Sequence, residues 1–293
     1  MSRIVVTGAC GYIGSHLIAR LAEHGGYTII GLTNTFSPNS EIVKKMCQLR
    51  FNANGAHDLF VEKADAHIHL GGYISVEESM NDPMKYYSGN TRYTINYLKE
   101  YKPNNMIFAS TAACFDPVSH YAKSKLACEW AIRATVPNYT IFRFFNVAGI
   151  NPGHHYVNPT THIISKLAEC AVNKEKFIIN GKDFDTPDGT CVRDYVDVND
   201  LVDAIIKAIN KPANTEYECL GTGLGFSNKA VLHTMESVIQ RHIDYDYGPR
   251  RNGDPGRLIV PEVSEYLEPS RTLFDMCKST YEYFQNKKSK RSL

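Results

Sequence analysis

Several absences narrow what this chain can be. Its eight cysteines (Cys10, Cys47, Cys114, Cys128, Cys170, Cys191, Cys219 and Cys277) include no C-x-x-C pair. That spacing argues against a zinc site and against a disulfide framework, so no metal is expected. No apolar run is long enough to cross a bilayer, which leaves no membrane partner to expect. Charge of one sign is also missing: 32 Lys and Arg against 31 Asp and Glu leave a net +1. A balance this close to zero implies no nucleic acid and no strongly acidic surface as partner. Internal repeats and low-complexity segments are absent. Free thiols suit a reducing compartment, and a first strand beginning at Arg3 leaves no room for a signal peptide. A soluble cytoplasmic protein is therefore expected. With 293 residues, the chain can bury a large core in one big domain or two smaller ones.

What is present begins with Ile4-Val5-Val6, a β-branched run that marks a buried parallel strand. Thr7-Gly8-Ala9-Cys10-Gly11-Tyr12-Ile13-Gly14-Ser15-His16 follows, with glycines at G-x-x-G-x-x-G spacing. An apolar helical pattern at Ile13, Leu17, Ile18 and Leu21 ends at Gly25-Gly26. Strand, glycine loop and helix form the context in which such glycines let backbone amides approach a pyrophosphate at a helix N-terminus. A tight turn without a ligand is the plainer alternative, and the position at the head of an α/β pattern weighs against it. Tyr27 to Leu32 reads as the second strand. A dinucleotide fold usually places a ribose-binding acid just after it. This chain has Thr33 and Asn34 there, no acid before Glu41 and no nearby Arg. NAD is therefore expected rather than NADP.

The central stretch runs from Phe108 to Lys125. Met106 to Ala109 reads as a strand that ends at Thr111, and Tyr121 and Lys125 stand four residues apart. Ser124 to Val136, free of Gly and Pro, carries apolar residues at Leu126, Ala127, Trp130, Ala131 and Ala134, a pattern expected to form one buried helix face. Residues i and i+4 share a helix face, which is expected to bring the Lys125 ammonium near the Tyr121 phenol and pull its pKa down from about 10. A hydroxyl, a phenol and a lysine so placed suit proton transfer to and from an alcohol. The spacing alone does not separate a site from a surface pair, since Tyr283 and Lys287 repeat it beside a basic tail. That second pair reads as chance.

Elsewhere, Glu41 to Leu49 reads as a helix, Asp58 to Glu62 and Ala66 to Leu70 as short strands, and Ser75 to Tyr101 as a long helical stretch. Leu70-Gly71-Gly72 reads as a strand end where backbone approaches closely, and Asp65 is expected to face an adenine. Tyr139 to Phe145 is a strand ending at Asn146. Beyond Pro152 the pattern gives a helix from Thr160 to Val172, strands at Phe177 to Asn180 and Val192 to Val196, and then a helix repeating apolar pairs at Leu201/Val202 and Ile205/Ile206.

Taken together, these segments resemble the extended short-chain dehydrogenase/reductase family, and within it the UDP-galactose (UDP-glucose) 4-epimerases. The carriers are TGACGYIGSH at Thr7–His16, HLGGYISVEESMNDPMKYYSGN at His69–Asn90, YAKSK at Tyr121–Lys125, RFFNVAG at Arg143–Gly149, DTPDGTCVRDYVDV at Asp185–Val198 and PRRNGD at Pro249–Asp254. The resemblance implies an α/β fold: a Rossmann-type doubly wound parallel sheet with a smaller C-terminal α/β substrate domain. The expected division is 1-152 for NAD and catalysis and 153-293 mainly for the UDP-sugar, with some elements returning to the first domain. It implies Tyr121 as acid/base, Lys125 as its activator and Thr111 as hydroxyl partner. Gly8, Gly11, Tyr12, Ile13, Gly14, Thr33, Asn34, Asp65, Leu70, Gly71 and Asn90 would hold NAD with Tyr121 and Lys125. Thr111, Asn146, Thr161, His162, Arg193, Arg251 and Asp254 would grip the UDP-sugar.

The chain departs from the family pattern in places. The acid after the second strand is missing, only Ala112 to His120 separates Thr111 from Tyr121, a family Lys appears as Ile74, and Asn180 replaces an aromatic on the uracil. The implied reaction is inversion at C4 of a UDP-hexose through a 4-keto intermediate. Leu258, smaller than a family aromatic, is expected to admit N-acetylated sugars as well. The alternatives are a nucleotide-sugar 4,6-dehydratase, disfavoured by Ala112-Ala113 where those enzymes carry Asp-Glu, a reductase of the same family, or a catalytically silent binding module. A homodimer through a helix pair is also implied.

Overall fold

The computed structural model describes residues 1–35, 37–51, 63–151, 162–251 and 253–291. The chain divides into two compact units, each discontinuous in sequence: Met1–Phe144 with Val202–Cys219, and Phe145–Leu201 with Leu220–Leu293. In order, the elements are β1 (Ser2–Thr7), α1 (Tyr12–His24), β2 (Tyr27–Thr33), α2 (Ser40–Met46), β3 (Gln48–Phe51), β4 (Ala66–His69), α3 (Val76–Asn81), α4 (Pro83–Tyr86), α5 (Tyr93–Tyr101), β5 (Asn105–Thr111), α6 (His120–Thr135) and β6 (Asn138–Phe144). Then come β7 (Asn146–Ala148), α7 (Ile163–Asn173), β8 (Phe177–Asn180), β9 (Val192–Asp197), α8 (Val198–Asn210), β10 (Glu218–Leu220), β11 (Gly225–Ser227), α9 (Asn228–Ile239), β12 (Tyr245–Gly248), β13 (Arg257–Leu258) and α10 (Leu273–Arg291).

The first unit is built on a seven-stranded sheet ordered β10-β6-β5-β4-β1-β2-β3. The pairings from β3 to β6 are all parallel. The order reverses at β1, with β2 on one side and β4 on the other. In a doubly wound sheet the carboxyl ends at such a switch point open into a ligand crevice. Ile4, Val5 and Val6 of β1 are fully buried, as a strand covered on both faces requires. Val5 and Phe108 share a core with Tyr97 of α5 and Cys128 and Ile132 of α6.

In the second unit β9 is central, pairing with β7, β11 and β13, while β8 pairs with β12. All six residues of β9 are buried although four of them are polar or charged or carry a phenol. The carboxylate of Asp194 is satisfied there by the amides of Thr222, Gly223 and Val260. Helices α7, α9 and α10 close the core behind it.

Three expectations need correction. Gln48 and Leu49 belong to β3 rather than to a helix, because the helix ends at Met46 and the chain pairs with β2 through Ile30↔Gln48 and Gly31↔Leu49. The stretch from Ser75 to Tyr101 is not one helix. Asp82 caps α4 and precedes Pro83, and a π-helical turn, Tyr87–Arg92, separates α4 from α5. The third concerns α6. Its buried face carries Tyr121, Ser124, Lys125, Cys128 and Glu129, whereas Trp130 is 65% exposed and Ala134 is exposed. Leu126, Ala127 and Ala131 of the expected stripe are half-buried, and the buried face mixes apolar Ala122 and Ile132 with the polar groups. Asp58 to Glu62, Thr160 and Thr161 lie outside the described residues.

Candidate active site

The glycine loop after β1 forms the floor of a cavity of about 780 Å³ in the first unit. Gly8 adopts a φ of 68°, and a Cβ there would approach the backbone of Gly71 to 3.0 Å. A Cβ on Gly14 would meet the Gly8 carbonyl at 2.2 Å, so α1 packs on the loop only without one. Gly11 is the N-cap of α1 and offers no capping side chain. Leu32, Thr33 and Asn34 from the end of β2 and Leu70, Gly71 and Gly72 beyond β4 complete that wall. Tyr12 is buried against His16, whose Nδ1 is hydrogen-bonded to the Tyr12 carbonyl at 2.8 Å, and Ile13 is half-buried in the same turn. This backbone-lined crevice, at the positive end of a helix, fits a dinucleotide pyrophosphate.

The catalytic candidates stand at the carboxyl end of β5. Ser119 accepts a hydrogen bond from the Ala122 amide at 3.1 Å, so α6 starts at His120 and Tyr121 falls in its first turn. Tyr121 and Lys125 are 8% and 5% exposed. Burial pushes the Tyr121 phenol up to about 12, and the Thr111 hydroxyl opposes that rise. The expected depression by Lys125 is not what sets this value: its Nζ lies 4.4 Å from the Phe108 ring centre, and burial lowers its own pKa. The phenol is therefore held protonated near neutrality.

Asn90 joins the two halves of this site. Its Oδ1 accepts from the Tyr73 amide at 2.7 Å, and its Nδ2 donates to the Tyr73 carbonyl and to Ser124 Oγ. The π-helical turn that carries it leaves no room beside Gly72. A Cβ there would stand 2.9 Å from Asn90 Oδ1 and 3.7 Å from Lys125 Nζ. The loop after β4 is thus stapled to the helix that carries Tyr121 and Lys125.

One turn beyond Lys125, Glu129 is fully buried. It accepts two bonds from Arg143, at 3.0 and 2.8 Å, and one from the Ser110 hydroxyl. Arg143 in turn stacks 3.8 Å from the Tyr217 ring. This clamp fixes α6 to β5 and β6 next to Thr111. Below β4, His69 bridges Thr7 and Thr94 at 3.0 Å each, and His67 meets the Tyr97 hydroxyl at 2.6 Å. Burial lowers their pKa values to about 3 and about 4, so both rings stay neutral.

In the second unit, Arg193 of β9 lies 3.6 Å from Asp254. The Asp254 amide donates to the Arg251 carbonyl at 3.3 Å. Arg251 donates through Nε to the Asn180 carboxamide at 3.0 Å, the amide being oriented to accept. His162, just ahead of α7, has a pKa lowered to about 4 by burial and by the Arg251 charge. These five form one cationic cluster. Asn146 of β7 lies opposite Tyr195 of β9 in the parallel register, on the strand that also carries Arg193.

Asp65 is not brought to the crevice. It precedes β4, at the amino edge of the sheet, and its carboxylate accepts from the Arg3 amide at 2.7 Å. Sequence reasoning missed Lys85, Ser88, Arg92, Tyr93 and Asn96, which line the opposite cavity wall. Their only signal was helical proximity to Asn90. The Ser110–Glu129–Arg143 clamp was also missed, because nothing in local sequence pairs residues this far apart.

A family model described as the NAD dependent epimerase/dehydratase family matches residues 4–219. The UDP-glucose 4-epimerase of Lactobacillus helveticus is 33% identical over 294 residues, covering 88% of each chain. Among solved structures, the UDP-glucose 4-epimerase from Bifidobacterium longum in complex with NAD+ and UDP is 27% identical, with a TM-score of 0.85 and coverage of 98% of this chain and 99% of that one. The UDP-Glc/GlcNAc 4-epimerase from Campylobacter jejuni is 32% identical, with a TM-score of 0.76, over 98% of this chain and 100% of that one. With the family model spanning residues 4–219, a stretch that includes the Gly8 loop, Tyr121 and Lys125, and a relative 33% identical over 88% of the chain, the chain belongs to the NAD-dependent epimerase/dehydratase family.

Proposed function

We propose that this chain is an NAD-dependent epimerase that inverts C4 of a UDP-hexose. The observation that carries the reading is the buried Tyr121, its phenol influenced by the Thr111 hydroxyl, on the helix that Asn90 staples to the glycine-lined crevice. Bound NAD supplies a hydride acceptor and donor. The protein's own residues handle the proton and the orientation. Tyr121 exchanges a proton with the sugar hydroxyl, Thr111 orients the phenol, and Lys125, one turn along the same face, offsets the charge when the phenol ionises. The crevice of the first unit would take the NAD, with Gly8, Gly11, Gly14, Gly71 and Asn90 around it. In the second unit, Arg193, Arg251, Asp254 and His162 would hold the UDP, Arg251 being suited to fork onto a phosphate. Ala112 and Ala113, in the turn after β5, provide no acid for a dehydration.

Leu258 is half-buried in β13 opposite Arg193, and the Campylobacter jejuni relative is named for N-acetylated as well as plain sugars. We therefore expect UDP-N-acetylhexosamines to be accepted, with Leu258→Tyr restoring discrimination worth about 1–3 kcal/mol. The exposed Trp130 on α6 supports a homodimer through that helix, and eight free cysteines support a reducing, cytoplasmic setting. Sedimentation of the wild type and of Trp130→Glu tests the dimer. The reaction is tested by incubating the protein with NAD and UDP-galactose and following UDP-glucose by NMR. Binding of UDP without interconversion would sink the epimerase reading.

A further inference from the structure

In Rossmann folds a carboxylate after the second strand selects NAD, by binding the ribose 2′-hydroxyl and repelling a 2′-phosphate. Here that position opens onto the cavity as Thr33, Asn34 and Thr35, and the Thr33 hydroxyl donates to the Thr35 carbonyl at 2.8 Å. No Asp or Glu lines the cavity among the described residues, whereas two cations, Lys85 and Arg92, do. Lys85 is held by Glu78 at 2.6 Å. Arg92 is exposed, and no described residue pairs with it. Arg92 is the last residue of the π-helical turn, two residues past Asn90 and far in sequence from β2.

We infer that this cavity takes the 2′-phosphorylated dinucleotide as well as NAD, with Arg92 as the residue that recognises the added phosphate. The inference rests on the dinucleotide-binding reading of the crevice. Neither half of the usual selection against NADP is present: the repelling carboxylate is replaced by neutral hydroxyl and amide groups, and an unpaired guanidinium faces the same space. Arg binds phosphate through paired, charge-assisted hydrogen bonds, which are stronger than the neutral ones Thr33 and Asn34 offer a ribose hydroxyl.

The test is competitive. The protein is dialysed to equilibrium against equimolar NAD and NADP and desalted, and both nucleotides are quantified in the denatured supernatant. This readout involves no turnover. The wild type is expected to carry NADP at no less than about one tenth of its NAD. Arg92→Gln is expected to lower that ratio roughly fivefold or more, through loss of NADP rather than of NAD. Asn34→Asp, which restores a carboxylate, is expected to lower it by about tenfold or more. A smaller NADP share in the wild type, or a ratio that Arg92→Gln leaves unmoved, overturns the inference while leaving the NAD site standing. Retention of neither nucleotide overturns both.

Discussion

Tyr121 with Lys125 on α6 and Tyr283 with Lys287 on α10 share one spacing and one kind of element. Everything around them differs. The first pair is buried, its phenol influenced by the Thr111 hydroxyl and its ammonium set over Phe108. Its helix is pinned by Asn90, Glu129 and Arg143. In the second pair Tyr283 packs its ring on the core of the second unit, and Lys287 is exposed, its Nζ 5.8 Å from that ring. Spacing on a helix thus guarantees only a shared face. Whether that face becomes a site depends on what it is buried against, and burial is what shifts the phenol and removes competing water.

The largest contrast is expected in stability. Glu129→Gln leaves the buried Arg143 guanidinium short of its counter-charge and should cost about 3–5 kcal/mol. Lys287→Ala, on a solvated face, should stay within about 0.5 kcal/mol. Urea melts of both variants check this, and equal midpoints would show that α6 is not clamped as described. Next is the cation itself. Lys125→Met removes a buried positive charge from the proposed acid–base site and should lower kcat by roughly 10²–10³-fold, with Lys287→Met unchanged. A Lys125→Met enzyme near wild-type kcat would erase the difference between the two pairs.

The third contrast is in pH. Unfolded histidine binds a proton near 6.5, whereas folded His67 and His69 resist protonation down to about 4 and about 3. Acid therefore favours the unfolded chain. The stabilisation is complete above pH 6.5 and is lost as pH falls towards 4, at about 2 kcal/mol per histidine between pH 7 and 5. These rings lie under the crevice, so the first unit should loosen first. Hydrogen exchange at pH 7 and pH 5 should show opening around β4 before α10, and the reverse order would contradict the assignment.

Much of the first unit was legible in sequence. The β-branched run and the glycine spacing name the crevice, since both reflect local backbone needs. The polar groups on the buried face of α6 were not legible. Apolar periodicity assigns Trp130 inward, but the inner face is paid for by partners distant in the chain: Ser110 and Arg143 for Glu129, and Asn90 for Ser124. Arg92 was missed because a π-helical turn changes which residues face a cavity. Asp65 was misplaced for a simpler reason. An acid just before a strand sits at the opposite sheet edge from a ligand that binds at the carboxyl ends.

The most direct measurement compares Tyr121→Phe with Tyr283→Phe in the interconversion of UDP-galactose and UDP-glucose, with UDP affinity and melting temperature recorded for each. The account predicts that Tyr121→Phe loses about 10²–10⁴-fold in kcat while binding UDP and melting as the wild type does, and that Tyr283→Phe loses nothing. A Tyr121→Phe enzyme that turns over at the wild-type rate would contradict it.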